Sequence, residues 1–265
     1  MTRRTLSIAA ALATTALAAG ALAAVAFATD TPADTAPPDD ALSPTVAAET
    51  YAGIAARADL ALAEPLVGVG TDEAWACASC HGESGEGNGD IPRLAGLPAG
   101  YIVKQLKDYR SGARRNDNMA YVVATLSDAE MAALGLYYAR LDTPNMAEPA
   151  LGGDLERGRQ LALEGDWTVS VPGCFACHGS SGWGVDEAFP PIAAQQPAYT
   201  YAQLASWVAG RRANDALGLM HDIALSLSDA DMRAVADYLA TRPAPPPKPP
   251  RLAARMENDT EDRQR

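Results

Sequence analysis

Apolar side chains recur along the middle of the chain at the spacing of an α-helix, and this pattern predicts an all-α fold. Residues 101–110 place an isoleucine, a leucine and a tyrosine on one face of such a helix. Ser127 followed by Glu130 has the pattern of a capping box, which predicts the start of another helix. Residues 47–63 and 154–164 are also predicted to be helical, and no alternating pattern of strand length occurs in the sequence.

An internal repeat runs through the same region and predicts two tandem copies of one small domain. Residues 77–82 (Cys-Ala-Ser-Cys-His-Gly) match residues 174–179 (Cys-Phe-Ala-Cys-His-Gly), 97 positions later. Residues 126–131 (Leu-Ser-Asp-Ala-Glu-Met) match residues 227–232 (Leu-Ser-Asp-Ala-Asp-Met), 101 positions later. The offset changes by only four residues, from 97 to 101, so the two copies differ in length by short insertions alone.

The repeats predict domains at residues 47–143 and 144–242, and both ends of the chain differ from them in composition. Residues 1–28 combine a basic start, a long uncharged apolar run and an Ala-Phe-Ala cleavage pattern. They predict an export signal, with an uncleaved membrane anchor as the alternative. Residues 29–46 predict a flexible linker, and residues 243–265 predict an extended, Pro-rich and charged disordered tail without packed structure.

Charge and export narrow the classes of partner. The 265 residues carry a formal net charge of −12, whereas a nucleic-acid partner requires basic patches. An acidic surface is suited to a positively charged protein partner, although solubility alone would also explain it. The export signal predicts a periplasmic location, or a membrane tether if the apolar segment is retained.

Each copy carries the pattern Cys-x-x-Cys-His, which is typical of covalent haem attachment. Two thiols at this spacing bond to one edge of the macrocycle, and the histidine that follows lies under the ring with a nitrogen directed at the iron. The motifs therefore predict two haem c groups with His81 and His178 as proximal ligands. The residues of the two motifs are Cys77, Cys80, His81, Cys174, Cys177 and His178.

Other uses of paired cysteines explain less of the pattern. A zinc site could use both pairs, but it does not account for the histidine that follows each pair. A redox-active dithiol of the thioredoxin type would require a βαβ context, which the sequence lacks. Two disulfides, the usual expectation for an exported chain, also leave the histidines unexplained.

Met119 and Met220 are the candidates for the second axial ligand of each iron. They lie 38 and 42 residues after the proximal histidines, and each precedes by seven residues the Leu-Ser that opens the last helix of its copy. Met131 and Met232 also repeat, but they lie within an amphipathic helix and are interpreted as core residues. His221 is an alternative ligand without a counterpart in the first copy. Imidazole and thioether together close both axial positions and favour the ferrous state.

Five arginines precede the two methionines and leave two interpretations open. They could pair with haem propionates, because a buried carboxylate needs a partner, or they could be solvated charges. These arginines are Arg110, Arg114, Arg115, Arg211 and Arg212. Tyr109 and Trp207 occupy matching helix positions, where packing against haem or core explains both.

The whole repeat resembles the dihaem cytochrome c4 family, which is built of two class I cytochrome c domains. The resemblance covers about residues 70–241 and rests on the haem motifs, on Pro-Arg-Leu-Ala-Gly at 92–96 and on Asn-Asp-x-Met at 116–119. It implies that each domain wraps one covalently bound haem, with His81 and Met119 on one iron and His178 and Met220 on the other. It also implies a periplasmic electron carrier, often one that feeds a terminal oxidase.

We therefore expect an electron carrier and not an enzyme. Its partners would be redox proteins: a donor such as a quinol-oxidising complex or a dehydrogenase, and an acceptor such as a terminal oxidase. One alternative is the cytochrome subunit of a dehydrogenase or flavocytochrome complex. Another is a dihaem enzyme such as a peroxidase or a thiosulfate-oxidising cytochrome, which needs an open iron site and is disfavoured by the two methionines.

Overall fold

A computed structural model describes residues 50–185, 188–215 and 217–247. The predicted export signal at 1–28, the linker at 29–46 and the tail beyond residue 247 lie outside the described residues. Among the described residues no single helix is long and apolar enough to cross a membrane. One bent helix pair has the length and composition for a span, but its two helices meet at 119°.

The first domain consists of six helices and a short 3-10 turn. In chain order they are α1 (Tyr51–Ala56), the 3-10 turn (Leu60–Leu62), α2 (Ala63–Gly68), α3 (Ala78–His81), α4 (Ala99–Ser111), α5 (Asp117–Ala124) and α6 (Asp128–Ala139). The single helix expected over 47–63 is therefore interrupted within the described part of that range. The side chain of Asp59 accepts a hydrogen bond from the Ala61 N–H and begins the 3-10 turn in its place.

The second domain repeats the succession of helices. It consists of α7 (Leu155–Leu163), β1 (Gly165–Asp166), β2 (Val171–Pro172), α8 (Cys174–His178), α9 (Pro197–Val208), α10 (Leu219–Ser226) and α11 (Asp229–Ala240). The two short strands pair antiparallel around a 3-10 turn at Trp167–Val169. Together the two sets of helices confirm the predicted all-α fold of two tandem domains.

Each domain encloses its own apolar core. In the first domain α4 and α6 pack together, and in the second α11 packs against α7 and α9. Ser127 and Glu130 form the predicted capping box at the start of α6, and Ser228 and Asp231 form the matching one at α11. The methionines interpreted as core residues, Met131 and Met232, are both buried.

The segment between the domains is held by buried side chains from both sides. The guanidinium of Arg93, in the first domain, donates to the carbonyl oxygens of Thr143 and Pro144. The carboxylate of Asp237, on α11, accepts hydrogen bonds of 2.8–3.1 Å from the N–H groups of Ala150, Leu151 and Gly153. The segment between the domains is thus held by hydrogen bonds to the first domain at one end and to the second domain at the other.

The first residues of the C-terminal segment also pack. Pro245 is buried, and its carbonyl oxygen lies so close to Gly96 that a Cβ at that glycine would stand 3.0 Å away. The Pro243 carbonyl accepts a hydrogen bond of 3.0 Å from the indole nitrogen of Trp183. Residues 243–247 therefore differ from the expected unpacked segment, because proline carbonyls remain good acceptors and the rings bury apolar surface.

We expect Asp237→Ala to lower the free energy of unfolding by about 2–3 kcal/mol, because partly buried N–H groups would lose a charged acceptor. Denaturant unfolding of the haem-loaded protein, followed by circular dichroism, measures this effect. Glu148→Ala is the matched control, since Glu148 is an exposed acid of the same segment. Equal stabilities for the two variants would contradict the role assigned to Asp237.

Candidate functional site

The first haem motif lies on α3 and on the residue that precedes it. Cys77 is the N-cap residue of this one-turn helix, and its half-buried side chain packs against the first core. Cys80 is exposed, and His81, the last helical residue, is buried. One helical turn therefore places the Cys77 thiol against the core, the Cys80 thiol at the surface and the imidazole inside the domain.

A single hydrogen bond fixes the ring of His81. Its Nδ1 lies 3.0 Å from the carbonyl oxygen of Pro92. Because a carbonyl can only accept, Nδ1 carries the proton, and Nε2 keeps the lone pair that a metal ligand needs. Burial lowers the pKa of His81, and the hydrogen bond to Pro92 opposes this only in part. The imidazole is therefore neutral at neutral pH.

The second motif repeats this geometry on α8. His178 is buried, and its Nδ1 donates to the Pro190 carbonyl at 2.7 Å, while burial lowers its pKa. The Cys174 sulfur lies 3.6 Å from the carbonyl oxygen of Leu161, on α7. Two sequences that share only part of their residues thus converge on one arrangement of thiols and imidazole.

A glycine follows each histidine because the backbone turns there in a way that other residues rarely adopt. Gly82 has φ +83° and Gly179 has φ +82°. The turn returns the chain so that the His81 carbonyl accepts from the Gly87 N–H at 2.8 Å. The His178 carbonyl accepts from the Gly184 N–H at 2.7 Å in the same way. The loop that supplies the proline carbonyl is therefore closed against the histidine itself.

The candidate methionines lie on the helix that precedes the last helix of each domain. Met119, on α5, packs against the same core as Cys77, and Asn116 caps this helix by accepting from the Met119 N–H at 3.0 Å. Met220, on α10, packs against the same core as Cys174. His221 instead donates from Nδ1 to the Trp207 carbonyl at 3.0 Å. In both domains the structure brings the methionine and the first cysteine of the motif to one core.

The donor set fits a haem c in each domain. No disulfide joins the four cysteines, and burial raises the pKa of the Cys77 and Cys174 thiols to about 11. Two cysteines free of a disulfide can form the thioethers of covalent attachment, and a neutral imidazole has the lone pair that iron ligation requires. The indole nitrogen of Trp207 is buried with no protein acceptor in the described structure, and it packs among the residues around Met220. A carboxylate-bearing cofactor would satisfy this donor.

Two of the five arginines have a role that neither interpretation offered, whereas Arg110, Arg115 and Arg211 are exposed, as expected of solvated charges. Arg114 is buried between the domains and donates to Gln105 of its own domain and to Tyr199 and Gln203 of the other. Arg212 does the converse, donating to Gln203 and, at 3.4 Å, to the Tyr101 hydroxyl.

The side chains of the remaining three arginines take no part in this network. The backbone N–H of Arg115 donates to the Arg211 carbonyl, and both side chains are exposed. Arg110 bonds to Asp128 at the start of α6. The arginine segment of each copy is therefore chiefly a contact between the two domains.

Some residues that shape the site cannot be identified from the sequence of a single copy. Pro92 and Pro190 act through their carbonyl oxygens, and only their matching place in the repeat points to them. Gln195 receives a hydrogen bond of 2.8 Å from the Arg93 N–H and returns one of 3.1 Å to its carbonyl. An amide side chain facing a backbone 102 residues away carries no local pattern.

Two helical domains, each with a buried histidine behind a pair of thiols, define a dihaem c-type cytochrome. The family model described as cytochrome c matches residues 72–141 and 155–243. The chain belongs to this family and, within it, to the dihaem cytochrome c4 proteins. Members carry covalently attached haem c, so the two domains hold two haems.

Three relatives show the extent of the similarity. The thiosulfate dehydrogenase electron acceptor of Thiomonas intermedia is 43% identical over 179 residues, which is 66% of this chain and 82% of that protein. The structure of reduced cytochrome c4 from Pseudomonas stutzeri is 31% identical with a TM-score of 0.58, covering 63% of this chain and 93% of that one. The thiosulfate dehydrogenase TsdBA of Marichromatium purpuratum is 35% identical with a TM-score of 0.67. That match covers 70% of this chain and 40% of the longer one.

Replacing both second-domain cysteines, Cys174→Ser with Cys177→Ser, should leave one covalently bound haem per chain, because serine cannot form the thioether. The number of haems per chain is measured by a pyridine haemochrome assay and by the mass of the intact protein. Ser79→Ala, which changes a residue within the first motif, should keep two. Two bound haems in the cysteine variant would contradict attachment at these thiols.

Proposed function

We propose that this chain is an exported electron carrier that takes electrons from a dehydrogenase of the thiosulfate-oxidising class and delivers them to a further redox protein. The observation that carries the proposal is the repetition, in two domains hydrogen-bonded to one another, of a buried histidine, a pair of thiols and a methionine on one core. The identity of the donor is supported by the names of two relatives, each a thiosulfate dehydrogenase electron acceptor, at 43% and 45% identity. The periplasmic location follows from the predicted signal at 1–28.

We assign the iron ligands as His81 with Met119 and His178 with Met220. Haem iron supplies reversible one-electron chemistry when it is bound this way. The chain's own residues hold Nε2 of each histidine in place through its Nδ1–H, and Met119 and Met220 would supply a thioether to the same iron from the neighbouring helix of each core. Filled axial positions favour electron transfer and disfavour the binding of a substrate, so the carrier role is preferred over a dihaem enzyme.

The contact between the domains supports transfer within the molecule. The antiparallel bridge between Arg114 and Arg212 pairs matching segments of the two domains. The Asn214 amide donates to Gln105 at 2.9 Å and to Asp108 at 2.7 Å across the same boundary. A boundary with this many directed contacts fixes the separation of two redox sites, which a freely moving pair of domains would not.

The acceptor is best described as a soluble or membrane-bound oxidant of the respiratory chain, such as a terminal oxidase. Relatives named cytochrome c4 match this chain over 168 and 174 residues, which is more than one domain contains, and the Pseudomonas stutzeri structure covers 63% of the chain. The two roles are compatible, because one carrier can be reduced by a dehydrogenase and oxidised by an oxidase.

Met119→Ala and Met220→Ala should each remove about half of the weak near-infrared sulfur-to-iron band and lower the reduction potential of one haem. Absorption spectra of the oxidised protein and a redox titration measure both effects. Met146→Ala is the control, because Met146 is 62% exposed in the segment between the domains. A band of undiminished intensity in both variants would overturn the ligand assignment.

Thiosulfate together with a purified thiosulfate dehydrogenase should reduce both haems of the wild-type chain, whereas thiosulfate alone should not. The reaction is followed by the rise of the reduced haem absorption in a stopped-flow instrument. Ascorbate, a small reductant, serves as the positive control for a competent protein. A chain that ascorbate reduces but the enzyme with thiosulfate does not would overturn the proposed donor.

A further inference from the structure

An exposed aromatic pair lies beside the first haem motif. Trp75 is 54% exposed and Tyr121 is 50% exposed, and their ring centroids are 5.2 Å apart. Trp75 stands two residues before Cys77, and Tyr121 stands two residues after Met119. The pair therefore joins the two segments that supply the attachment and the second ligand of the first haem.

Both rings are presented by rigid pieces of backbone. The loop before Trp75 is closed by Thr71, whose hydroxyl accepts from the N–H groups of Glu73 and Ala74 and whose N–H donates to the Ala74 carbonyl. Tyr121 lies on α5, whose first turn is capped by Asn116. Side chains that are ordered before binding lose little entropy in a complex, and tryptophan and tyrosine are enriched among the residues that dominate binding energy.

The two chain segments that carry the pair are acidic. Residues 58–92 and 116–127 contain no lysine or arginine, and the exposed Arg115 lies just before the second segment. Asp72, Glu73 and Asp117 are exposed on these segments, and none of the ion pairs among the described residues engages them. Acids without an ion pair, on the same segments as an exposed apolar contact, fit a partner surface in which lysines or arginines surround an apolar centre.

The second domain lacks this arrangement. Pro172 and Asp222 occupy the positions that match Trp75 and Tyr121. Trp167 of that domain is 74% exposed, but it lies on the short hairpin and is not among the aromatic pairs of the described residues. Asp166, beside it, is engaged by Arg157 at 2.8 Å. A partner protein that binds the aromatic pair would therefore bind the first domain in preference to the second.

We propose that Trp75 and Tyr121, with Asp72, Glu73 and Asp117 around them, form the docking surface for a positively charged redox protein, and that electrons cross between proteins at the first domain. The occupant is the basic surface of the electron donor, so this inference rests on the proposed function. The aromatic pair provides the apolar contact, and the acids orient the encounter over the edge of the site.

The test compares three variants of the full haem-loaded chain: W75S with Y121S, W75F with Y121F, and W167S. Reduction by thiosulfate dehydrogenase is measured at increasing cytochrome concentration, and electron exchange with a basic monohaem cytochrome c is measured by stopped flow. The serine variant should raise the KM for the cytochrome about tenfold, the change expected for loss of a central aromatic contact. The kcat should stay within about twofold, and the sulfur-to-iron band should be unchanged.

The phenylalanine variant should keep most of the affinity, and W167S should match the wild type. The rate of electron exchange with the basic cytochrome should be about tenfold lower for the serine variant than for the wild type. For the wild type, this rate should fall as the salt concentration rises. An unchanged KM and exchange rate in the serine variant, or an equal effect of W167S, would overturn the docking surface. If the dehydrogenase does not reduce the wild type, the proposed donor is wrong, and the exchange rate with the basic cytochrome decides the docking surface by itself.

Discussion

The hydrogen bond from histidine Nδ1 to a proline carbonyl is the contact on which each half of the molecule depends. It determines the tautomer and the direction of Nε2, and it requires the loop between residues 82 and 92, or 179 and 190, to close on the histidine. Glycine at the first position of each loop permits that closure. The apolar core then completes the site, because it keeps the imidazole neutral and places a methionine helix on the same core.

The two halves share this constraint but differ in what they show to solvent and to each other. The faces with matching arginines, glutamines and tyrosines are turned toward one another and form one polar contact, in which Arg114 and Arg212 bond to neutral acceptors across the boundary. Among the described residues, the tilted aromatic pair of Trp75 and Tyr121 belongs to the first half, and the second half has no counterpart at the matching positions. The two domains thus share one internal site, whereas the surfaces beside that site differ.

The repeat made the fold and the haem motifs predictable, because periodicity, capping and Cys-x-x-Cys-His are local patterns. Contacts between the copies were not predictable in the same way. The arginines before the methionines had two equal interpretations, and the structure places two of them between the domains. The sequence could not predict this position, because the acceptors across the boundary lie 85 or more residues away. The break at Asp59 and the packing of Pro245 on Gly96 likewise depend on single side chains that outweigh the local propensity.

The central claim is that both irons are closed by histidine and methionine, so that the chain transfers electrons and does not bind substrates at iron. The most direct measurement is the visible and near-infrared spectrum of the purified protein, oxidised and reduced, with haem quantified per chain. The account predicts two covalent haems, both low-spin, with the sulfur-to-iron band present in the oxidised form. A single haem, or a high-spin fraction that binds carbon monoxide or peroxide, would contradict it and indicate an enzyme with an open site.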